Sequence, residues 1–220
     1  MAYTLKYFGI PALGEPIRLV LHLGGLDWKD ERMQFADWGP IKPTTKWGQC
    51  PLLTTPDGKE MTQSKAILRY LSKIVEVEGN KLYPDDALAA FEVDEMIDVF
   101  EDLRLKLVPT FKISDPEEKS AARAALFAAE GECTMLLQKI EKFCGEKFVV
   151  AGQLTMADIW VYFFLNFLRS GFWDGLPVDY LGAYPKLTAV VDNVAALPQV
   201  KEYYAGAEAS KGPMYKVFDP

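Results

Sequence analysis

An α/β half followed by an all-helical half is the architecture this sequence predicts, and three observations carry it. Up to about residue 79, short β-type runs alternate with single helical stretches, separated by Gly, Pro and Asp turns. After Glu78-Gly79-Asn80 only long helical patterns remain. Charge divides at the same place: residues 1–79 hold 10 basic and 9 acidic residues and the remainder holds 14 and 22, so the acidic excess belongs to the helical half. With 220 residues, half of them hydrophobic, the chain can bury a large core, and we expect two domains, 1–79 and 80–220.

Thr4 to Phe8 reads as a strand ending at Gly9-Ile10-Pro11. Glu15-Pro16-Ile17-Arg18 then puts proline in a first helical turn and an acid near the positive end of the helix dipole. That helix carries Ile17, Val20 and Leu21 and stops at Gly24-Gly25; Asp27 to Met33 returns as a second strand and completes a βαβ unit. Phe35 to Gly48, with Trp38, Pro40, Pro43 and Trp47, has no clean period and is an irregular connection. Pro51 to Thr54, the turn Thr55-Pro56-Asp57-Gly58 and Lys59 to Thr62 form a β-hairpin, and Gln63-Ser64 opens a helix with Ala66, Ile67, Tyr70 and Leu71 as its apolar stripe. The helical half should contain helices over roughly 85–108, 116–144, 156–168 and 185–196.

Leu154-Thr155-Met156-Ala157-Asp158-Ile159 has the form of a helix start. Thr155 stands at the N-cap, Asp158 at the third helical position of a capping box, and Leu154 and Ile159 at the two ends of a hydrophobic staple. Local capping explains Asp158 without a catalytic role. The aromatic residues Trp160, Tyr162, Phe163, Phe164 and Phe167 surround the helix that follows, which marks it as buried.

Composition excludes several functions. A net charge of −7 disfavours nucleic acid and anionic lipid as partners. One histidine, His22, and three separated cysteines form no metal-binding cluster, and a Ser-His-Asp hydrolase would rest on His22 alone with no nucleophile elbow. Cys133 and Cys144, eleven residues apart in one helical stretch, lie roughly 16 Å apart along the axis and cannot pair. Charges interrupt the N-terminal apolar stretch, and the longest apolar run, Ile159 to Leu168, falls short of the ~20 residues of a membrane span, so the expected location is cytoplasmic.

Tyr7 at the end of the first strand, Trp38, Lys42, Gly48-Gln49-Cys50-Pro51, Gln63-Ser64-Lys65-Ala66-Ile67 and Thr155-Met156-Ala157-Asp158 together resemble the cytosolic glutathione transferases over nearly the whole chain. Tyr7 is similar to the nucleophile-activating residue of the tyrosine-type classes. Phe35-Ala36-Asp37-Trp38 with Gln63-Ser64 resembles the sigma class, and Trp47-Gly48-Gln49-Cys50-Pro51 the pi class. The resemblance implies a thioredoxin-like N-terminal domain that binds glutathione as co-substrate, a C-terminal helical domain that contributes the electrophile pocket, and a homodimer.

It also implies roles residue by residue. Pro51 would be cis and expose the Cys50 backbone to the cysteinyl part of glutathione. Gln63 and Ser64 would hold the γ-glutamyl group, Trp38 and Lys42 the glycyl carboxylate, with Gln49 where some sigma enzymes have lysine and Lys46 as a possible substitute. Asp102 would reach the γ-glutamyl ammonium across the dimer interface. Cys50 reads as a packing thiol, since the first strand-to-helix loop, Gly9 to Gly14, carries no cysteine of the redox kind. The acids Asp94, Asp98, Glu101 and Asp102 recur at three- and four-residue spacing and call for a basic surface opposite them, unless they form a solvated face. Trp47 stands where pi-class chains have an aromatic key that inserts into the partner subunit; core packing is the alternative.

By position, the electrophile pocket should be lined by Ile10, Ala12 and Leu13, by Arg104, Leu107 and Val108, and by the tail at Phe218, an apolar pocket with one cation. Sigma-class prostaglandin isomerases carry arginine where this chain has Leu13 and tryptophan where it has Pro109, which speaks against that specialised activity. Conjugation of the glutathione thiolate to hydrophobic electrophiles is the expected function. The alternatives are a non-enzymatic crystallin-like or assembly-module relative and a glutathione-dependent isomerase or peroxidase.

Overall fold

The computed structural model describes residues 2–150, 152–206 and 212–218. Strand β1 (Tyr3–Phe8) buries Leu5 and Tyr7 on one face with the period of two that a strand imposes. Helix α1 (Glu15–Leu23) crosses over to β2 (Trp28–Met33), which pairs parallel to β1 with Tyr7 opposite Arg32. The hairpin of β3 (Leu52–Thr54) and β4 (Glu60–Thr62) adds antiparallel on the other side of β1, giving a four-stranded sheet in the order β2-β1-β3-β4. Helix α3 (Ser64–Ile74) follows directly from β4 and packs beside α1. This is the thioredoxin-like βαβ then ββα order.

Phe35 to Gly48 is less irregular than its sequence reads. It winds through a 3-10 turn at Phe35–Asp37, the one-turn helix α2 (Trp38–Ile41) and a second 3-10 turn at Lys42–Thr44, short enough that no hydrophobic period develops. A two-residue ladder, β5 (Glu76–Val77) with β6 (Asn80–Lys81), joins α3 to the helical half, and its turn carries Glu78 and Gly79 at positive φ.

The helical half begins with α4 (Ala87–Leu107), capped by Asp86, whose Oδ1 accepts from the N–H groups of Leu88 and Ala89 at 3.1 and 2.9 Å. The single helix expected over 116–144 is two: α5 (Pro116–Leu126) and α6 (Glu132–Phe143). The break falls before Gly131, where a side-chain carbon would lie 2.3 Å from the Leu126 carbonyl oxygen, so the chain turns against the end of α5 as only glycine permits. Beyond the helices expected from the sequence, α8 (Pro185–Ala195) is followed by α9 (Pro198–Ala205), whose start signal is Pro198.

Helix α7 (Met156–Arg169) is the centre of the molecule, buried from Met156 to Leu168 and packed on α1, α4 and α8. Its capping box forms as expected: the Asp158 carboxylate accepts from the N–H groups of Val149 and Thr155, both at 2.7 Å, and from the Thr155 hydroxyl at 2.8 Å. Burial pushes the Asp158 carboxyl up to about 6 against the pull of these donors, so it is ionised at neutral pH. Cys133 and Cys144 are buried thiols, pushed up by burial to about 11 and about 12. His22 is half-buried with its ring 5.3 Å from that of Tyr203, a packing role. Among the described residues no helix is long and apolar enough to cross a membrane.

The acidic stripe of α4 finds its basic surface inside the chain. Asp94 pairs with Arg69 at 2.8 Å and Asp98 with Lys65 at 2.8 Å, both from α3, while Glu101 takes Arg104 at 2.6 Å. The stripe therefore fastens α4 to α3; Asp102 is exposed and has no ion-pair partner among the described residues.

Removing the Asp158 carboxylate strands two buried backbone N–H groups. Asp158→Ala should lower unfolding free energy by about 2–4 kcal/mol and Thr155→Ala by about 1–2 kcal/mol, read from urea titrations. An Asp158→Ala loss under about 0.5 kcal/mol, the range of an ordinary surface change, would rule out this box as a fold determinant.

Candidate active site

Tyr7 ends β1 with its ring packed against Gly14, where any side-chain carbon would fall 2.4 Å from the ring. Glycine is required there because the 3-10 turn Ala12–Gly14 lies directly on the tyrosine. Leu13, Arg18, Arg104 and Cys50 lie within electrostatic range of the Tyr7 oxygen. Burial, with the Cys50 thiol adding to it, raises the hydroxyl well above the ordinary tyrosine value, against the pull of Leu13, Arg18 and Arg104. The phenol is a proton donor at any physiological pH.

A cleft of about 390 Å³, within the ~300–1,000 Å³ range of small-molecule sites, is lined by Cys50 and Arg104, the groups within electrostatic range of Tyr7, while Tyr7 itself does not line it. It brings together Leu13, Trp38, Gln49, Cys50, Gln63, Ser64 and Arg104 from the expected set, along with Gly48, Lys65 and Glu101. The Cys50–Pro51 peptide bond is cis, as the resemblance implied. Gln63 sits at φ 72°, ψ 103°, in the left-handed region that a non-glycine residue rarely adopts, and its Nε2 donates to Gln49 Oε1 at 2.7 Å. Such strain, of order 1–3 kcal/mol, persists where the surroundings enforce it and is found mostly at functional positions. Directly after it begins α3, eleven residues long and without a side-chain cap, so its first N–H groups face the cleft with the positive end of the helix dipole.

Other expected residues lie elsewhere. Lys42 is exposed, its side chain running beside Gly48, and Ile10, Ala12, Pro51 and Val108 do not line the cleft. Leu107 is fully buried. Phe218 is core: it stacks on Tyr204 at 5.4 Å and its carbonyl accepts from the Tyr162 hydroxyl at 3.0 Å. The pocket's one cation, Arg104, is not free, because Glu101 engages its Nε and Nη2 at 2.8 and 2.6 Å. Trp47 is 60% exposed with the Lys46 ammonium 5.0 Å over its ring, so it is not a core residue. Cys50 is half-buried, and burial pushes its thiol up to about 11, consistent with an inert role.

Two residues near Tyr7 were not singled out from the sequence. Phe8 stacks on the exposed Phe35 at 4.5 Å and meets the edge of Trp38 at 6.2 Å, an aromatic wall next to Tyr7. The consecutive aromatics Tyr7-Phe8 were the available signal, since adjacent strand residues point to opposite faces. Arg18 was also missed. It is fully buried and donates to the carbonyls of Phe8 and Ile10, both at 2.9 Å, to Asp30 and to Glu15, with its guanidinium 5.8 Å from the Tyr7 ring centroid.

A larger concavity, about 870 Å³, lies away from these groups, between α4, α6 and residues 145–150 with Gly152.

Residues 3–73 match the glutathione S-transferase N-terminal domain and residues 101–206 the corresponding C-terminal domain. The chain is 31% identical to glutathione S-transferase 1 of Ascaris suum, covering 92% of this chain and 95% of that one. It is 32% identical to glutathione S-transferase P 1 of Xenopus laevis, with 96% of each covered. The solved prostaglandin synthase D of Nilaparvata lugens superposes with a TM-score of 0.83 at 29% identity, over 94% of this chain and 98% of the other. These likenesses establish that the chain belongs to the glutathione S-transferase family and is a glutathione transferase.

Proposed function

We propose that Tyr7 donates a hydrogen bond to the sulfur of bound glutathione and holds it as thiolate for attack on hydrophobic electrophiles. The observation that carries this is a buried phenol, kept protonated by its surroundings, beside a cleft whose polar lining suits an anionic peptide. A free thiol of pKa ~8.5 must drop by about two units to ionise at pH 7, a cost of ~2.7 kcal/mol. One hydrogen bond to a charged acceptor supplies ~1.5–3 kcal/mol, so a single hydroxyl suffices.

In this reading residues 1–79 bind glutathione and residues 80–220 add the second wall of the pocket. The α3 terminus with Ser64 and Gln63 takes the γ-glutamyl carboxylate, the Cys50 backbone before cis-Pro51 pairs with the cysteinyl part, and Trp38 and Lys42 hold the glycyl end. Gln49 acts by fixing Gln63 through the 2.7 Å bond. Leu13 and the Phe8, Phe35 and Trp38 rings form the apolar side toward the electrophile, and Arg104 faces it with its charge offset by Glu101. Few fixed donors remain, and a site of that kind separates substrates differing by one methylene by only ~1–3 kcal/mol. We therefore read a broad conjugating enzyme of sigma type with pi-like features. Leu13 and Pro109 favour this over a dedicated prostaglandin isomerase.

We further propose a cytoplasmic homodimer. The exposed Trp47, flanked by Lys46, suits the α4/α6 cleft of a second copy, where Met96, Val99, Leu136 and Ile140 are apolar and Glu92 and Glu95 would meet the lysine. Asp102, exposed and without an ion pair among the described residues, would then be available to the partner's γ-glutamyl ammonium.

Tyr7→Phe should leave glutathione affinity within about threefold, lower kcat by ~10- to 100-fold, and move the ultraviolet titration of the bound thiol upward by about two units. Because the tyrosine itself titrates far above this range, the rise of kcat/KM with pH reports the thiol and shifts with it. An unchanged titration in the variant would remove Tyr7 from this role. For assembly, wild type should sediment as a dimer at micromolar concentration and Trp47→Ala should weaken it by ~30-fold or more, the effect of an interfacial anchor worth about 2 kcal/mol. A wild-type monomer with full activity would contradict the shared site.

A further inference from the structure

The two ends of the chain meet on one buried ion pair. Glu15 and Arg18, both fully buried on α1, lie 3.1 Å apart. Glu15 carries two further contacts, from hydroxyls at the far end of the sequence: Tyr204 of α9 donates to its Oε1 at 3.0 Å and Tyr215 to its Oε2 at 3.3 Å. The Tyr215 oxygen is also 3.4 Å from Arg18 Nη1, and its ring lies beneath the Arg32 guanidinium at 5.4 Å. Phe218, stacked on Tyr204, seats this last turn in the core.

Charge neutrality does not require these hydroxyls, since Arg18 already has Glu15 and Asp30. What they fix is orientation. With both oxygens of Glu15 held, the Glu15 carboxylate presents one lone pair to Arg18 Nη1, and that same nitrogen donates to the Ile10 carbonyl while Nη2 donates to that of Phe8. These carbonyls flank Gly9, the exit of the strand that carries Tyr7 and the entry to the Ala12–Gly14 turn that packs on the Tyr7 ring.

We propose that Tyr204 and Tyr215 are positioning residues for Tyr7, acting through Glu15 and Arg18, so that docking of the C-terminal turn sets how well the thiolate is stabilised. The proposal rests on the reading of Tyr7 as the thiol's donor. It assigns the tail no contact with glutathione, and the glutathione carboxylate contacts at α3 and Trp38 stay unaffected.

The test is the Tyr204→Phe, Tyr215→Phe double variant, which keeps both rings. Thiol positioning predicts that kcat falls by ~3- to 10-fold and that the pH midpoint of kcat/KM rises by about half a unit to one unit, while the glutathione Kd from calorimetry stays within about threefold. Placed in a Tyr7→Phe background, the same pair should raise the midpoint no further, because the donor it positions is gone. If Tyr7→Phe moves the midpoint and the double variant does not, even with reduced kcat, the tail's hydroxyls are structural only and the proposal fails. If Tyr7→Phe does not move it, the underlying reading fails instead. Should the double variant not fold, Tyr215→Phe alone must raise the midpoint by at least about 0.3 unit, and no rise overturns the proposal.

Discussion

The constraint on which the rest of the molecule depends is the buried charge of Arg18. Burial works against its ionised form, and Glu15, Tyr215 and Asp30 outweigh that penalty, so the guanidinium stays protonated in the core. A buried cation is tolerated only when its donors are used, and here they reach the β1 exit, the following turn, α1 and β2 at once. Deleting such a group leaves a carboxylate buried without its partner, which costs about 3–5 kcal/mol in comparable cases. The geometry around Tyr7 is therefore coupled to the charge balance beneath it: the strand cannot shift relative to the turn without breaking bonds that the core cannot replace with water.

The active-site cleft uses the opposite strategy. Its cations, Lys65 and Arg104, are partly exposed and paired with Asp98 and Glu101, and contribute little to stability through screened surface pairs. In the proposed binding mode a chain of net charge −7 still receives an anionic peptide because the attraction is local: the N–H groups at the start of α3, after the strained Gln63, would act over a few ångströms where the overall field is screened. Binding by backbone dipoles and a neutral phenol also leaves the site independent of pH near neutrality. The co-substrate thiol is then the titrating group.

Much of the architecture could be read from residue order. Tyr7, Gln63 and Ser64 were visible because each ends or begins an element with a sharp boundary, and Thr155 to Asp158 because capping is a local pattern. The α5–α6 break was hidden by an alanine-rich stretch of good helix formers; Gly131 alone announced it, through a close approach that only three dimensions display. Leu107 and Phe218 were expected at the pocket because their neighbours are there, yet position along a helix or tail does not say which side faces the core. The Arg18 network was illegible for the same reason: Glu15 and Arg18 look like an ordinary i, i+3 surface pair, and the groups that bury them, Tyr204 and Tyr215, are about 190 and 200 residues away. Of the acids of α4, Asp94 and Asp98 meet bases of α3 in the same chain and Glu101 meets Arg104 of α4 itself, partners that spacing along one helix does not show.

The central claim is that Tyr7, held by the Arg18 clamp, is the group that meets the glutathione sulfur. A crystal structure of the glutathione complex tests it most directly. The account predicts the sulfur within hydrogen-bonding distance of the Tyr7 hydroxyl, with Arg18 still donating to the Phe8 and Ile10 carbonyls. A sulfur directed to Arg104 or Cys50, beyond hydrogen-bonding distance of the Tyr7 hydroxyl, would contradict it.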